Sequence, residues 1–91
     1  MPLPQTVEGA VEVLLDLISE NEQAMLADLP EEDLAGLQLG MGMWIRENMG
    51  LWQGNEELLA DTGAYDPDDA SAVIIRAFWS RVRAERGLQQ P

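Results

Sequence analysis

The stretch from residue 40 to residue 55 constrains the fold more than any other part of the chain. It reads Gly-Met-Gly-Met-Trp-Ile-Arg-Glu-Asn-Met-Gly-Leu-Trp-Gln-Gly-Asn, with four glycines, three methionines and two tryptophans. Glycine destabilises a helix interior by roughly 0.5–1 kcal/mol relative to alanine, and exposed tryptophan forgoes a large gain from burial. Because this stretch places glycine and tryptophan side by side, we expect contacts with other parts of the fold to require both residue types there.

Composition restricts the protein to a few classes. The chain has 91 residues, 46% of them apolar, and it contains neither cysteine nor histidine. Its length fits one domain, and its apolar content is sufficient for a core. Disulfides and the usual zinc, copper and nickel sites are excluded. We expect a single domain over residues 1–91, frayed at 1–5 and 88–91, with no cofactor and no metal.

The N-terminal residues give no sign of targeting. They lack the basic region of a secretory signal, and the apolar run Val11–Ile18 is interrupted by Glu12 and Asp16. Neither a signal peptide nor a membrane span is predicted, so we expect a cytoplasmic protein.

The charge is strongly negative and unevenly distributed. The net charge is −12; residues 1–65 hold thirteen acids and one base, Arg46, whereas residues 66–91 hold four acids and four arginines. Direct nucleic-acid binding and binding to anionic membranes are both unfavourable, because phosphate contacts need clustered Lys or Arg. The expected partner is a protein with a basic surface, or with an apolar one if the charge serves solubility.

Helix start signals predict the first two helices. Thr6 can cap a helix over Val7–Ile18, and Ser19 with Glu22 forms a capping box that begins a second, shorter helix. The second helix is expected to bury Met25, Leu26 and Leu29.

The third predicted helix, Glu31–Met49, should be the longest and most central, ending at Gly50 in a left-handed cap. Its glycines are expected to let the fifth helix cross it closely; these are Gly36, Gly40 and Gly42.

The last two helices also have clear starts. Asn55 can cap a short helix over Glu56–Asp61, and Asp66-Pro67 begins a fifth helix that extends to Arg86. Strand signals are nearly absent. The predicted fold is all-α, a compact bundle of four to five helices with the third and fifth at its centre.

Helix capping explains most of the acids but not all. Eleven of the seventeen lie at predicted helix starts, where they complement the helix dipole. Glu12 and Asp16 lie one turn apart in mid-helix, without a capping role, and are candidates for a functional acidic face. The alternative is that they only favour solubility.

Four further residues are candidates for binding. Trp44, Met49 and Trp52, with the adaptable methionines 41 and 43, could form a contact surface. Arg46 is a candidate as well, although we favour an ion pair with an acid on a neighbouring helix, such as Asp68 or Asp69, that fixes helix packing.

Catalysis is not predicted. Without His, Cys or Lys, the acid–base groups are carboxylates and Tyr65. The acids at Asp66–Asp69 are accounted for by capping and lack the pattern of a calcium loop. We therefore expect no catalytic residues and no metal site.

Two motifs resemble those of an uncharacterised family of small bacterial domains of unknown function. They are the core Gly42-Met43-Trp44-Ile45-Arg46-x-Asn48-x-Gly50-Leu51-Trp52 and the helix start Pro67-Asp68-Asp69-Ala70-Ser71. The resemblance spans Thr6 to Val82. It implies a bacterial or phage source and a single domain, but no activity.

These observations favour a non-enzymatic, acidic protein-binding module, such as an inhibitor, immunity or antidefence protein that occupies a partner surface. One alternative is a structural protein that forms a homodimer through a Trp/Met surface. A third is a nucleic-acid mimic, which would need rows of acids on one face.

Overall fold

A computed structural model describes residues 3–87 as a bundle of five α-helices. They are α1 (Val7–Leu17), α2 (Glu20–Ala27), α3 (Met43–Asn48), α4 (Glu56–Thr62) and α5 (Pro67–Glu85). A 3-10 helix (Glu31–Leu37) and a π-helical segment (Gln38–Gly42) lie between α2 and α3, and a 3-10 turn (Leu51–Gln53) precedes α4. No strand occurs in residues 3–87. The all-α prediction is confirmed.

Local capping chemistry begins the helices where the sequence predicted. Each of four N-cap side chains accepts a hydrogen bond from the backbone N–H three residues further on. These side chains are Thr6, Ser19, Asn55 and Asp66, with distances of 2.9, 3.2, 3.4 and 2.8 Å. Gly50 and Gly63 have φ values of +79° and +76°, the left-handed conformation that glycine adopts without strain. The predicted left-handed conformation of Gly50 is confirmed. The third helix ends at Asn48 and the fourth at Thr62, each one residue from its predicted end.

Helix α5 is the axis of the bundle. It contacts every other helical element in residues 3–87. Its inward stripe of Ala70, Ile74, Phe78 and Val82 is fully buried, at the four-residue spacing that places side chains on one helix face. The third-helix region packs against this stripe. The prediction that the fifth helix is central is confirmed, but the prediction that the third is the longest and most central helix is wrong, because α5, with 19 residues, is the longest element in residues 3–87.

The predicted third helix is not one α-helix. It is divided into the 3-10 helix, the π-helical segment and α3. The break has a contact that explains it: the Arg46 side chain reaches back and donates from Nη2 to the backbone carbonyl of Gln38, at 3.1 Å. A side chain inserted into the backbone hydrogen-bond ladder distorts a helix at that point.

The predicted crossing of α5 over the glycines is wrong. Gly36 and Gly40 are exposed, and a Cβ atom added to either would meet nothing within 4 Å. Gly42 is buried, but the close neighbours of an added Cβ would be the Gln38 side chain and Arg46 Nη1, at 3.0 Å from the latter. The buried glycine thus makes room for two side chains and not for a helix.

Burial in α2 also differs from the prediction. Leu26 is buried, whereas Met25 is 71% exposed. Gln23, Leu26 and Ala27 share the inward face of α2, and adjacent helical positions are separated by about 100°, which turns Met25 outward.

The N-terminal segment lies against the loop before α4. Asn55 Nδ2 donates to the carbonyl of Pro4 at 2.8 Å, and Asp61 Oδ2 accepts from the N–H of Val7 at 2.7 Å. Of the ends expected to fray, residues 3–5 are placed here, and residues 1–2 and 88–91 lie outside the described part of the chain.

The N-cap of α5 generates a stability prediction. Asp66→Ala removes the side-chain acceptor of the Asp69 N–H and should lower the free energy of unfolding by about 1 kcal/mol, measured by chemical denaturation. Asp68→Asn should cost less, because Asp68 caps no N–H group and solvent screens its ion pair with Arg46 at a carboxylate that is 78% exposed. Equal losses for the two variants would contradict the capping argument.

A second prediction compares two helical glycines. Gly42→Ala should destabilise the domain by about 1–3 kcal/mol, because the new methyl group displaces the Gln38 side chain from its buried partners. Gly40→Ala should leave stability unchanged or raise it by up to roughly 1 kcal/mol, since alanine is the better helix former and has open space there. Thermal and urea melts distinguish the two variants. If Gly40→Ala destabilised the domain, the conclusion that Gly40 lies in open space would be wrong.

Candidate functional site

Arg46 lies buried between α3 and the first turn of α5. Its Nη1 donates to Ser71 Oγ at 2.8 Å and to Gln38 Oε1 at 3.2 Å, and its Nε is 3.4 Å from Asp68 Oδ1. The Nε contact lies outside hydrogen-bond geometry, so Asp68 acts on it through charge. The ion pair that the sequence allowed between Arg46 and Asp68 is therefore present.

The partners of Arg46 are also bonded to one another. Gln38 Nε2 donates to the carbonyl of Asp68 at 2.8 Å, and Ser71 Oγ lies 2.9 Å from both Gln38 Oε1 and that carbonyl. The Trp52 ring, half-exposed, lies against the guanidinium with its centroid 5.7 Å from Cζ. The chain's own groups occupy most of the donors of Arg46, so this cluster is a packing contact and leaves little for a ligand.

An open apolar groove lies on the other side of α3. We call it the methionine groove: two adjoining cavities of about 260 and 350 Å³, both lined by Ile18, Glu22, Leu37 and Met41. The first cavity is completed by Met25, Leu26 and Leu29, and the second by Leu14, Leu17, Gly40 and Trp44. Helices α1 and α2 form one wall, and the 3-10 and π-helical segments with the start of α3 form the other. Among residues 3–87, Glu22 is the only charged residue in the lining.

Large apolar side chains are exposed at and beside this groove. Leu17 and Met25 are 54% and 71% exposed in its lining. Leu39 and Met43, which are chain neighbours of the lining residues Gly40 and Trp44, are exposed as well. Scattered exposed apolar residues need no explanation, but a concave group of them marks an interaction site.

The structure separates the candidate residues that the sequence grouped. Trp44 lines the methionine groove, whereas Arg46 and Trp52 contact each other. Residues two apart on a helix face opposite ways, which explains the separation of Trp44 from Arg46. Met49 is 1% exposed and belongs to the core. The proposed Trp/Met surface is therefore not one continuous surface.

The two acids proposed for an acidic face differ from each other. Glu12 Oε2 pairs with Arg81 Nη2 on α5 at 3.0 Å, whereas Asp16 is exposed and forms no ion pair with residues 3–87. Hydrogen bonds from Arg81 to Glu85 and then to Glu12 raise the pKa of Arg81 above its ordinary value. Glu12 thus has a structural role that Asp16 lacks.

All five arginines are engaged within the domain. Besides the Arg46 and Arg81 contacts, Arg76 pairs with Glu31 and Arg86 Nη2 pairs with Glu20 at 3.3 Å. Arg83 Nη1 donates to the carbonyl of Ala27 at 2.6 Å, and its guanidinium stacks on Trp79. In residues 3–87, every cation therefore contacts the chain's own groups, and no cluster of three or more acids is arranged to hold a metal ion.

Sequence reasoning missed much of the groove lining. The sequence indicates Met41 and Trp44 as apolar contact residues. It predicts burial of Met25, however, and it assigns no binding role to Leu17 or Leu37. One usable signal was the apolar width of α1, since Leu14, Leu17 and Ile18 cover more of its circumference than one buried stripe needs.

With this geometry established, comparison with known proteins identifies the family. Residues 3–82 match the family described as "Domain of unknown function (DUF6794)". The chain belongs to this family. The match spans α1 to the last turns of α5, and so covers both the Arg46 cluster and the methionine groove.

The other comparisons add no relative. No curated protein and no solved structure matches the chain. Among residues 3–87, no helix has both the length and the apolar character needed to cross a membrane.

The contrast between the two acids on α1 can be tested by charge reversal. Glu12→Lys should lower the melting temperature, because it replaces an ion pair with Arg81 by a repulsion. Asp16→Lys should leave the melting temperature unchanged or raise it slightly, since it reduces a net charge of −12. The melts should be run at low ionic strength, where surface charges act most strongly. Equal effects of the two substitutions would show that the Glu12–Arg81 pair does not matter.

Proposed function

We propose that this protein is a non-enzymatic protein-binding module whose contact surface is the methionine groove. The observation that carries the proposal is the continuity of two open cavities, which share four lining residues and expose Leu17 and Met25. A concave apolar surface of this kind gains stability when a partner's apolar side chains displace its water.

The chemistry of the lining favours binding over catalysis. Met25 and Met41 have flexible, polarisable side chains that adapt to a partner's shape, a property of surfaces that bind proteins. Glu22 is a single carboxylate, and no other residue of the part of the groove lining that the structure describes is titratable and able to act as its acid or base partner.

The proposed role is to occupy a surface of another protein in the cytoplasm, as an inhibitor, immunity or antidefence protein does. A domain that binds through one groove and brings no reactive side chain can act by blocking access to its target. Self-association is less favoured, because two copies would each bring a net charge of −12 and no uncommitted arginine within residues 3–87.

Affinity capture with matched variants tests the proposal. The wild-type protein, the double variant Leu17→Gln/Met25→Gln and the control Tyr65→Gln would each be immobilised and exposed to an extract of the source cells. The double variant makes the groove polar without changing its charge. Tyr65 is 97% exposed and lies outside the groove, so its substitution controls for general surface hydrophobicity.

We expect mass spectrometry to find at least one protein that is captured by the wild type and by Tyr65→Gln but not by the double variant. Circular dichroism melts should show that all three forms are folded. If the double variant captures the same proteins as the wild type, the groove is not the contact surface and the proposal fails.

A further inference from the structure

We infer that the occupant of the methionine groove is an amphipathic helix of another protein, whose apolar stripe is flanked by Lys and Arg. This inference rests on the proposed function and adds the conformation and the charge of the partner segment. Three independent features of the groove carry it: the secondary structure of its walls, the sign of its surrounding charge and the glycine at position 40.

The walls of the groove favour a helical occupant. They consist of helical elements, whose backbone polar groups are largely engaged in their own hydrogen bonds, and residues 3–87 present no strand edge. An extended segment would find few backbone partners in this apolar lining, and leaving buried polar groups unpaired is costly. A helix satisfies its own backbone and can present apolar side chains at i, i+3, i+4 and i+7 to such a groove.

The charge around the groove favours a basic occupant. Glu22 lines both cavities, and residues 7–37, which include α1, α2 and the 3-10 helix, contain nine acids and no base. Four of these acids line cavities outside the groove and contribute to it only through the overall negative potential; they are Glu8, Glu12, Glu31 and Glu32. Arginines on or directly after α5 pair with three of the nine acids, Glu12, Glu20 and Glu31. Since the domain's own cations are already engaged, Lys or Arg on the partner would compensate the remaining acids. A second copy of this acidic chain would not.

Gly40 keeps part of the groove open. It lines the second cavity, and a Cβ atom added there would meet nothing within 4 Å. Leu37 and Met41, three residues before and one residue after it, line the same cavity, so a larger side chain at position 40 would project beside theirs. The missing side chain leaves space for an apolar side chain of the partner. Gly36 has the same exposure and open space but does not line the groove, which makes it a matched control.

Synthetic peptides provide the probes for the test. The first is a helical peptide of roughly 18 residues, about five turns, with leucines at helical spacing and lysines on its remaining faces. The second keeps the leucines and replaces each lysine by glutamate. The third has the composition of the first in a shuffled order that destroys the apolar stripe. Fluorescence anisotropy of each labelled peptide, titrated with the full chain at low and at high NaCl, gives the dissociation constants.

We expect the lysine peptide to bind the wild-type protein at least about tenfold more tightly than either other peptide, and to weaken several-fold at high salt. Gly40→Leu should weaken its binding at least about tenfold, because the new side chain occupies the partner's space. Gly36→Leu should bind as the wild type does. Leu17→Gln/Met25→Gln serves as a second groove variant if Gly40→Leu does not melt cooperatively, and it should weaken binding by a similar factor.

Several outcomes would overturn the inference. Equal binding of the glutamate or shuffled peptide would remove the basic or the helical requirement, and full binding by both groove variants would place the peptide elsewhere. Failure of the lysine peptide to bind would overturn the inference too. The proposed function fails separately: it depends on capture from the extract being groove-dependent, whatever the peptides do.

Discussion

The buried guanidinium of Arg46 fixes the segment between α2 and α3, whose conformation the helix start signals do not predict. Burying the charge of Arg46 is unfavourable unless it is hydrogen-bonded and paired with an opposite charge. Gln38 and Ser71 accept its hydrogen bonds, and Asp68 supplies the opposite charge 3.4 Å from Nε. These partners come from the π-helical segment and the first turns of α5. Gln38 is bonded both to Arg46 and to the carbonyl of Asp68, so the backbone between Leu37 and Met41 is fixed relative to α5. One wall of the methionine groove therefore depends on a contact on the opposite side of α3.

The uneven charge of the sequence has a structural counterpart in α5. Four of the five arginines lie on or directly after this helix, and they contact α1, α2 and the 3-10 helix. Individual exposed ion pairs contribute only about 0–1 kcal/mol, so the burial of the apolar stripe of α5 stabilises the fold more than any one of these pairs. The ion pairs matter more for the charge of the surface than for stability. Because the arginines are paired within the domain, the unpaired acids determine the charge of the surface.

Features set by neighbouring residues could be predicted from the sequence, and features set by distant contacts could not. The N-caps at Thr6, Ser19, Asn55 and Asp66 each involve an N–H group three residues away, which the sequence shows directly. The break in the third helix depends on the contacts of Arg46 with Gln38 and with α5. The helix propensities of the individual residues do not predict these contacts. The glycines required a tertiary explanation, as expected, but only the structure distinguishes Gly42, which admits buried side chains, from Gly40, which lines an open cavity. Trp44 was the one proposed binding residue that lies in the groove.

Stability alone does not account for the methionine groove. Glycine in an exposed helical position costs roughly 0.5–1 kcal/mol relative to alanine, and a larger apolar residue at position 40 would also cover neighbouring apolar surface. Leu17 and Met25 remain exposed beside it, although exposed apolar grooves promote self-association. The net charge of −12 opposes that association, because two copies repel each other before their grooves can meet. The acidic surface and the open groove are therefore compatible with each other: the charge keeps the groove free of like copies and leaves it available to a partner of opposite charge.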